Sequence, residues 1–282
     1  MKNVIYYFTG TGNSLRAAQV IAERLGDTEI ISMRCDPKDV LSESAERIGF
    51  VFPVHHWTMP AYAIHFVERV KLNAKAYIFA VSTPGLINGG CQDKLAELLQ
   101  KKHCILSYGE KVYSVANYVA MYPAFPNPDK RVPKTEKQLE YIAQEIAEKK
   151  LRNHPHANSI TRWLAPRKMQ KFIEHCPSND KYFSVWDDCI SCGLCAKVCT
   201  CHNISFENGK PTFHHHCSQC MACISFCPKQ AINFPKYTRE RKKYHNPHVT
   251  VTDVASDRKQ YPPQKAERSH AGGAWGGAVR IT

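Results

Sequence analysis

The sequence predicts an α/β chain in two parts: a doubly wound, parallel five-stranded sheet with helices on both faces, then a small α+β domain. Three observations carry this. Short apolar runs alternate with helix-period segments through residues 1–151. A glycine-containing loop at 9–14 joins the first strand to the first helix. Nine of the thirteen cysteines crowd between Cys189 and Cys227, in two matching stretches.

The elements follow in order. Val4–Phe8 reads as the first strand. Leu15, Ala18, Val20, Ile21, Ala22 and Leu25 then recur at helical spacing, with Gly26 as a stop. Strands are expected at Glu29–Ser32, Ile48–Val54 and Tyr77–Ser82, and a fifth within Ile105–Val115. Helices are expected from Pro60 to about Val70, over Gln92–Lys102 and over Thr135–Leu151. Strands and helices alternating at this pace are the mark of βαβ units and a parallel sheet. Residues 152–181 read as a connector with a helix around Arg162–His175. The cysteine-rich domain spans 182–236, and 237–282 reads as a basic, partly disordered tail, loosest over Ser269–Thr282.

Both cysteine stretches have the pattern C-x2-C-x2-C-x3-C, at Cys189, Cys192, Cys195, Cys199 and again at Cys217, Cys220, Cys223, Cys227. A coiled loop with a thiolate at every third position reaches three corners of an iron–sulfur cubane. The x3 cysteine starts a helix leading to the neighbouring cluster. That logic assigns Cys189, Cys192, Cys195 and Cys227 to one [4Fe–4S] cluster, and Cys217, Cys220, Cys223 and Cys199 to a second. Structural zinc pairs two separated CxxC arms and does not need a third cysteine in each. Gly193 lets backbone amides approach the cluster sulfurs. Cys201 is an extra thiol, and His202 and His214–His216 read as surface residues.

Thr9-Gly10-Thr11-Gly12-Asn13-Ser14 lies where backbone amides and the positive end of a helix dipole converge, which favours a phosphate. No GK[ST] ends the loop and it is not GxGxxG, so ATP and NAD are disfavoured. Pro53–Pro60 and Ser82–Gly90 follow the carboxyl ends of the third and fourth strands, where ligands bind in open α/β sheets.

Thr9–Ser14 matches the Thr/Ser-x-Thr-Gly-x-Thr/Ser phosphate loop of flavodoxins throughout, and the segment around the cysteines resembles bacterial two-cluster ferredoxins. One departure is visible: Pro228 follows Cys227, whereas Thr200 stands after Cys199, where that family usually has proline. Together these features resemble a family of anaerobe-associated flavodoxin–ferredoxin fusion proteins, with the match running to about residue 255. The resemblance implies a flavodoxin-like domain over 1–151 and a ferredoxin-like domain over 182–236. It also implies FMN beside the two clusters, with the phosphate on residues 9–14. The isoalloxazine would lie against Pro53 and Trp57, which can stack on it, and against Ser82, Thr83, Pro84, Gly85, Asn88, Gly89 and Gly90. Asn117 and Tyr118 belong to the same pocket by position. Lys243–His248 also looks like a family element, without a physical role legible in the sequence.

The expected function is electron transfer between FMN, the clusters and an external redox partner protein; the alternative is an FMN-dependent reductase of a small organic substrate. No paired acid–base or nucleophile–base constellation sits beside the flavin loops, which favours the carrier. The formal charge of +13 lies largely in Lys130–Lys171 and Lys236–Lys243, outside any nucleic-acid reader module. It suits an acidic redox partner better than nucleic acid. No apolar run approaches a membrane span and no leader is visible, so a cytoplasmic protein is expected.

Overall fold

The computed structural model describes residues 2–37, 41–159, 161, 171–234 and 236–263. In chain order the elements are β1 (Asn3–Tyr7), α1 (Asn13–Leu25), β2 (Thr28–Ser32), β3 (Leu41–Ser42), β4 (Arg47–Pro53), α2 (Ala61–Arg69), β5 (Lys71–Leu72), β6 (Tyr77–Thr83), α3 (Cys91–Gln100), β7 (Leu106–Lys111) and α4 (Pro128–Ala147). There follow β8 (Ser184–Val185), the short helix Leu194–Lys197, β9 (Ile204–Glu207), β10 (Lys210–Phe213), the short helix Ala222–Ser225, β11 (Ile232–Asn233), the short helix Val251–Ala255 and β12 (Arg258–Tyr261). Among the described residues no helix is long and apolar enough to cross a membrane.

The main sheet runs β12-β2-β1-β4-β6-β7. β1 pairs in parallel with β2 and β4, and β4 with β6 and β6 with β7 in the same sense. The expectation of five strands is corrected to six. β12 comes from the segment expected to be a tail and pairs antiparallel with β2, Arg258 opposite Ile31 and Tyr261 opposite Thr28. Its sequence, Arg-Lys-Gln-Tyr, carries little apolar signal. It is a strand because β2 offers an open edge, and covering an edge satisfies a row of backbone groups.

Helices cover both faces. α2 and α3 close a core around Phe8, Phe50, Phe52, Phe66 and Leu95, while α1 and α4 close another around Leu15, Ile21, Phe79, Leu139 and Ile146. α4 begins two turns before the expected Thr135, because Asn127 caps it by accepting from the Asp129 amide at 2.9 Å and Pro128 supplies a preset φ. The second core also takes Val198, Ala222, Phe226, Val249 and Val254, so the cysteine-rich part packs directly on the sheet domain. Of the helix expected at 162–175, residues 171–175 are helical and 162–170 lie outside the described residues, as does the end of the chain from 264.

In the cysteine-rich part β9 pairs with β10 and β8 with β11, both antiparallel. Arg34, after β2, ties the parts together: it pairs with Asp257 and donates to the Ala255 carbonyl at 2.5 Å and the Lys197 carbonyl at 3.1 Å. Tyr7 donates to the Ser256 carbonyl at 3.0 Å. Val254 is 3% exposed beneath this strap. Val254→Ala is expected to cost about 2 kcal/mol, and to lower Tm by roughly 4–8 °C. An unchanged melt would mean that the strap is not docked.

Candidate functional site

The loop from β1 to α1 is held from three sides. Thr9 Oγ1 accepts from the Gly12 amide at 3.1 Å, and Gly12 turns with φ +96°. Ser14 and Thr83 share a hydroxyl–hydroxyl hydrogen bond of 2.7 Å, joining this loop to the end of β6. The Asn13 amide group donates to the Val115 carbonyl at 3.1 Å, and its oxygen accepts from Tyr244 at 2.9 Å and Asn246 at 3.2 Å. The Asn246 backbone amide donates to the Thr11 carbonyl at 2.8 Å. Lys243–His248 thus acquires a role: Tyr244 and Asn246 brace the loop. A Cβ on Gly12 would lie 3.1 Å from both Asn246 Cβ and Val249 Cβ, which leaves little slack.

The loop opens onto a cavity of about 450 Å³, the size of a cofactor or drug-sized ligand site. Thr9, Gly10, Thr11, Asn13, Ser14, Pro53, Trp57, Thr83 and Gly85 all line it. Trp57 is presented by a tight two-residue turn: His55 and Thr58 exchange backbone hydrogen bonds of 3.0 Å, and His56 and Trp57 have φ +46° and +68°. Gly90 donates to the Trp57 carbonyl at 2.9 Å, and a Cβ on Gly89 would lie 1.9 Å from that oxygen. Gly89, at φ +58°, is therefore required by the neighbouring turn. Ser82 donates to Asn88 at 2.6 Å and accepts from Gln92 at 2.8 Å. Of the sequence-derived set, Gly12, Ser82, Pro84, Asn88, Gly89 and Gly90 are not among the residues that line the cavity.

Several wall residues carry no strong sequence signal. Val115, Ala116, Met121 and Tyr122 form one side together with Asn117 and Tyr118, which are expected there by position, and Phe172 stacks on His56 with centroids 3.6 Å apart. His55 meets Phe8 edge-on at 6.0 Å. Burial first, and then His56, lower its pKa to about 4.

The remaining wall comes from the cysteine-rich part: Gln219, Cys220 and Met221. Gly10 touches Cys220 backbone to backbone, since a Cβ there would lie 2.3 Å from the Cys220 carbonyl oxygen. Tyr118 donates to Gln219 Oε1 at 2.5 Å, and Asn117 donates to Ser225 at 3.0 Å and the Tyr244 carbonyl at 2.5 Å. Two buried lining atoms, Gln219 Nε2 and Asn117 Oδ1, have no hydrogen-bond partner.

The eight cysteines gather in two small cavities. One is lined by Cys189, Cys192, Cys195 and Cys227, the other by Cys199, Cys217, Cys220 and Cys223, with Cys201 beside them. The sequence repeat is also a backbone repeat. Ser191 and Gln219, Gly193 and Met221, and His202 and Gln230 occupy equivalent places, and all six have left-handed φ between +50° and +71°. Cys199 Sγ accepts from the Asn203 amide at 3.2 Å, and Cys227 Sγ accepts from the Ala231 amide at 3.3 Å, again at equivalent places. The halves differ at Thr200, whose hydroxyl donates to Cys220 Sγ at 3.3 Å. Pro228 at the matching position has no hydroxyl. Burial, then the thiolates of Cys217, Cys220, Cys199 and Cys195, push the Cys223 thiol well above its ordinary value. His215 and His214 are engaged elsewhere, with the buried Asp180 at 2.6 Å and with Ser205 at 2.7 Å.

The sheet order, the loop after β1 and the cavity at the carboxyl ends of β1, β4 and β6 define the first part of the chain as a flavodoxin-like domain. The flavodoxin domain family matches residues 4–119. Similar solved structures include rubredoxin oxygen:oxidoreductase from the anaerobe Desulfovibrio gigas (20% identity, 52% of this chain and 35% of that chain, TM-score 0.40). Others are Megasphaera elsdenii flavodoxin in its two-electron reduced state (16%, 50% and 98%, 0.35) and an FMN-dependent NADH-azoreductase from Bacillus anthracis (12%, 52% and 100%, 0.37). The chain thus spans about a third of the Desulfovibrio gigas enzyme. No curated protein sequence matches it.

Two outcomes follow. Gly10→Ala forces apart two backbones and is expected to destabilise the protein by about 2 kcal/mol, seen as a lower Tm. His55 is neutral when folded above its lowered pKa, whereas the unfolded chain takes up the proton near pH 6.5, so stability falls as pH drops from 6.5 to about 4. Thermal melts of His55→Asn at constant ionic strength should show a shallower fall over that window.

Proposed function

We propose that this chain is an electron-transfer flavo-iron–sulfur protein that exchanges electrons with external redox partner proteins. In this reading FMN occupies the cavity above residues 9–14, and the cysteine quartets each hold a [4Fe–4S] cluster. The observation that carries the proposal is that Cys220 is a wall of the flavodoxin-like cavity and also a member of a quartet. Bound FMN takes one or two electrons and each cluster passes one, so the set interconverts electron pairs and single electrons.

The chain's residues have separable tasks. The hydroxyls of Thr9, Thr11 and Ser14 and the loop amides suit a phosphate. Trp57 offers a ring face, and Asn117 and Gln219 line the same cavity. The Gly10–Cys220 contact keeps the inner quartet against the cavity. The outer quartet includes the exposed Cys192 and is flanked by exposed Ile190, an apolar edge for a partner. The excess of basic residues suits an acidic partner.

One observation favours the reductase as a second reading: Leu86, Ile87 and Met121, all at least half exposed, line the cavity and could receive a small apolar organic substrate. Against it, no Asp, Glu, Lys or Arg lines the cavity among the described residues. Reduction of a small acceptor by the purified protein, without added protein, would replace the carrier reading.

Anaerobic preparation is expected to yield about eight irons, eight sulfides and one FMN per chain; zinc held by the cysteine sulfurs, or a flavin-free product, would end the proposal. Cys220→Ala should lose one cluster and retain FMN. Thr200→Val removes the hydroxyl from Cys220 and is expected to lower the potential of one cluster by about 59 mV, a tenfold change for a one-electron couple. Thr200→Ser should restore it, and redox titration followed by EPR reads both.

A further inference from the structure

Outside the cavity and the cysteines, three ligating side chains from two distant segments meet on the far side of the loop at 82–90. Asp93 lies in the first turn of α3, and His154 and His156 lie in the connector after Arg152. Asp93 Oδ1 is 2.7 Å from His156 Nδ1 and 3.2 Å from His154 Nε2, and the three ligating atoms all lie within 4.8 Å of one another. The rings are 4.3 Å apart and tilted by 56°, so their edges converge on the carboxylate. A tetrahedral ion with bonds of 2.0–2.2 Å keeps its ligand atoms about 3.3–3.6 Å apart; the 3.2 Å pair nearly has that spacing, and the 2.7 Å pair opens by less than 1 Å to reach it.

The surroundings hold this geometry. The second Asp93 oxygen accepts from the Ala157 amide at 2.8 Å, which fixes the carboxylate with Oδ1 towards the histidines. The connector is pinned to β7: Gly109 donates to the Arg152 carbonyl at 3.1 Å, and Arg152 donates to the Ser107 carbonyl at 3.0 Å. His154 seats on Gly109, where a Cβ would come within 2.3 Å of His154 Cβ. Pro155 restricts the backbone between the two histidines. The His156 side chain is 57% exposed and that of Asp93 29%, leaving an entry path and room for water as a further ligand.

We propose that Asp93, His154 and His156 bind a divalent transition ion of the zinc class, clipping the connector to the start of α3. Two imidazoles and a carboxylate are the donor set that zinc accepts while keeping one position open. Without the ion, hydrogen bonds from the histidines to Asp93 occupy the same contacts; binding replaces those protons with the cation. The site is independent of the cysteine quartets and of their reading as cluster ligands.

The test uses the full holoprotein, prepared without oxygen and freed of loose metal with a chelator, then given one equivalent of ZnCl2. Zinc K-edge absorption is expected to show nitrogen and oxygen neighbours at about 2.0–2.1 Å, one zinc per chain and a raised Tm. His156→Gln, a change at an exposed side chain that spares the fold, should weaken zinc binding at least tenfold with iron content unchanged; Asp93→Asn should do the same. No bound zinc, a sulfur shell near 2.3 Å, or undiminished binding by His156→Gln would overturn the proposal.

Discussion

Gly10 and Cys220 meet backbone to backbone, and the rest of the arrangement depends on that approach. A side chain at position 10 would hold the two segments apart, because the obstacle is a carbonyl oxygen that cannot rotate away. With glycine there, the cavity gains a wall it would otherwise lack. The core beneath continues across the junction: Val198, Ala222 and Phe226 lie among Ile5, Leu15 and Phe79. The two parts of the chain are joined by shared burial as well as by sequence.

The segment from Tyr244 to Tyr261 makes the junction durable. It first braces the loop of residues 9–14 through Tyr244 and Asn246, then caps its short helix with Thr250, and finally covers the open edge of the sheet as β12. His245 stacks on Phe226 at 4.8 Å, extending the same strap to the cysteine-rich part. Each contact is modest, but all of them order one length of chain, so the entropy of fixing it is lost once and shared.

The duplicated cysteine loops are close copies whose differences lie on the side facing the sheet domain. Gln219 and Cys220 form part of the cavity wall, and Thr200 supplies a hydroxyl to Cys220 where the other half has Pro228. The opposite loop is turned outward, with Cys192 and Ile190 exposed. One repeat thus faces inward and the other faces solvent, and the asymmetry comes from what each packs against.

Much of this is legible in local patterns of residues. The apolar runs at β1, β2, β4 and β6 are strands because a sheet covered on both faces needs continuously buried residues. The glycines at 10 and 12 mark the loop, and the repeated spacing from Cys189 to Cys227 marks the sets that the fold gathers. What stays hidden has little local signature. β12 is polar and is a strand only because β2 leaves an edge open. Gln219 looks like a surface residue until Tyr118 and the cavity enclose it. Asp93 and His154 are sixty-one positions apart, and only the pinning of the connector to β7 brings them into contact. Sequence determined the elements and the chemistry each carries, since propensity and spacing act over a few residues. Tertiary structure alone decided which of those groups face one another, since that depends on packing between segments distant along the chain.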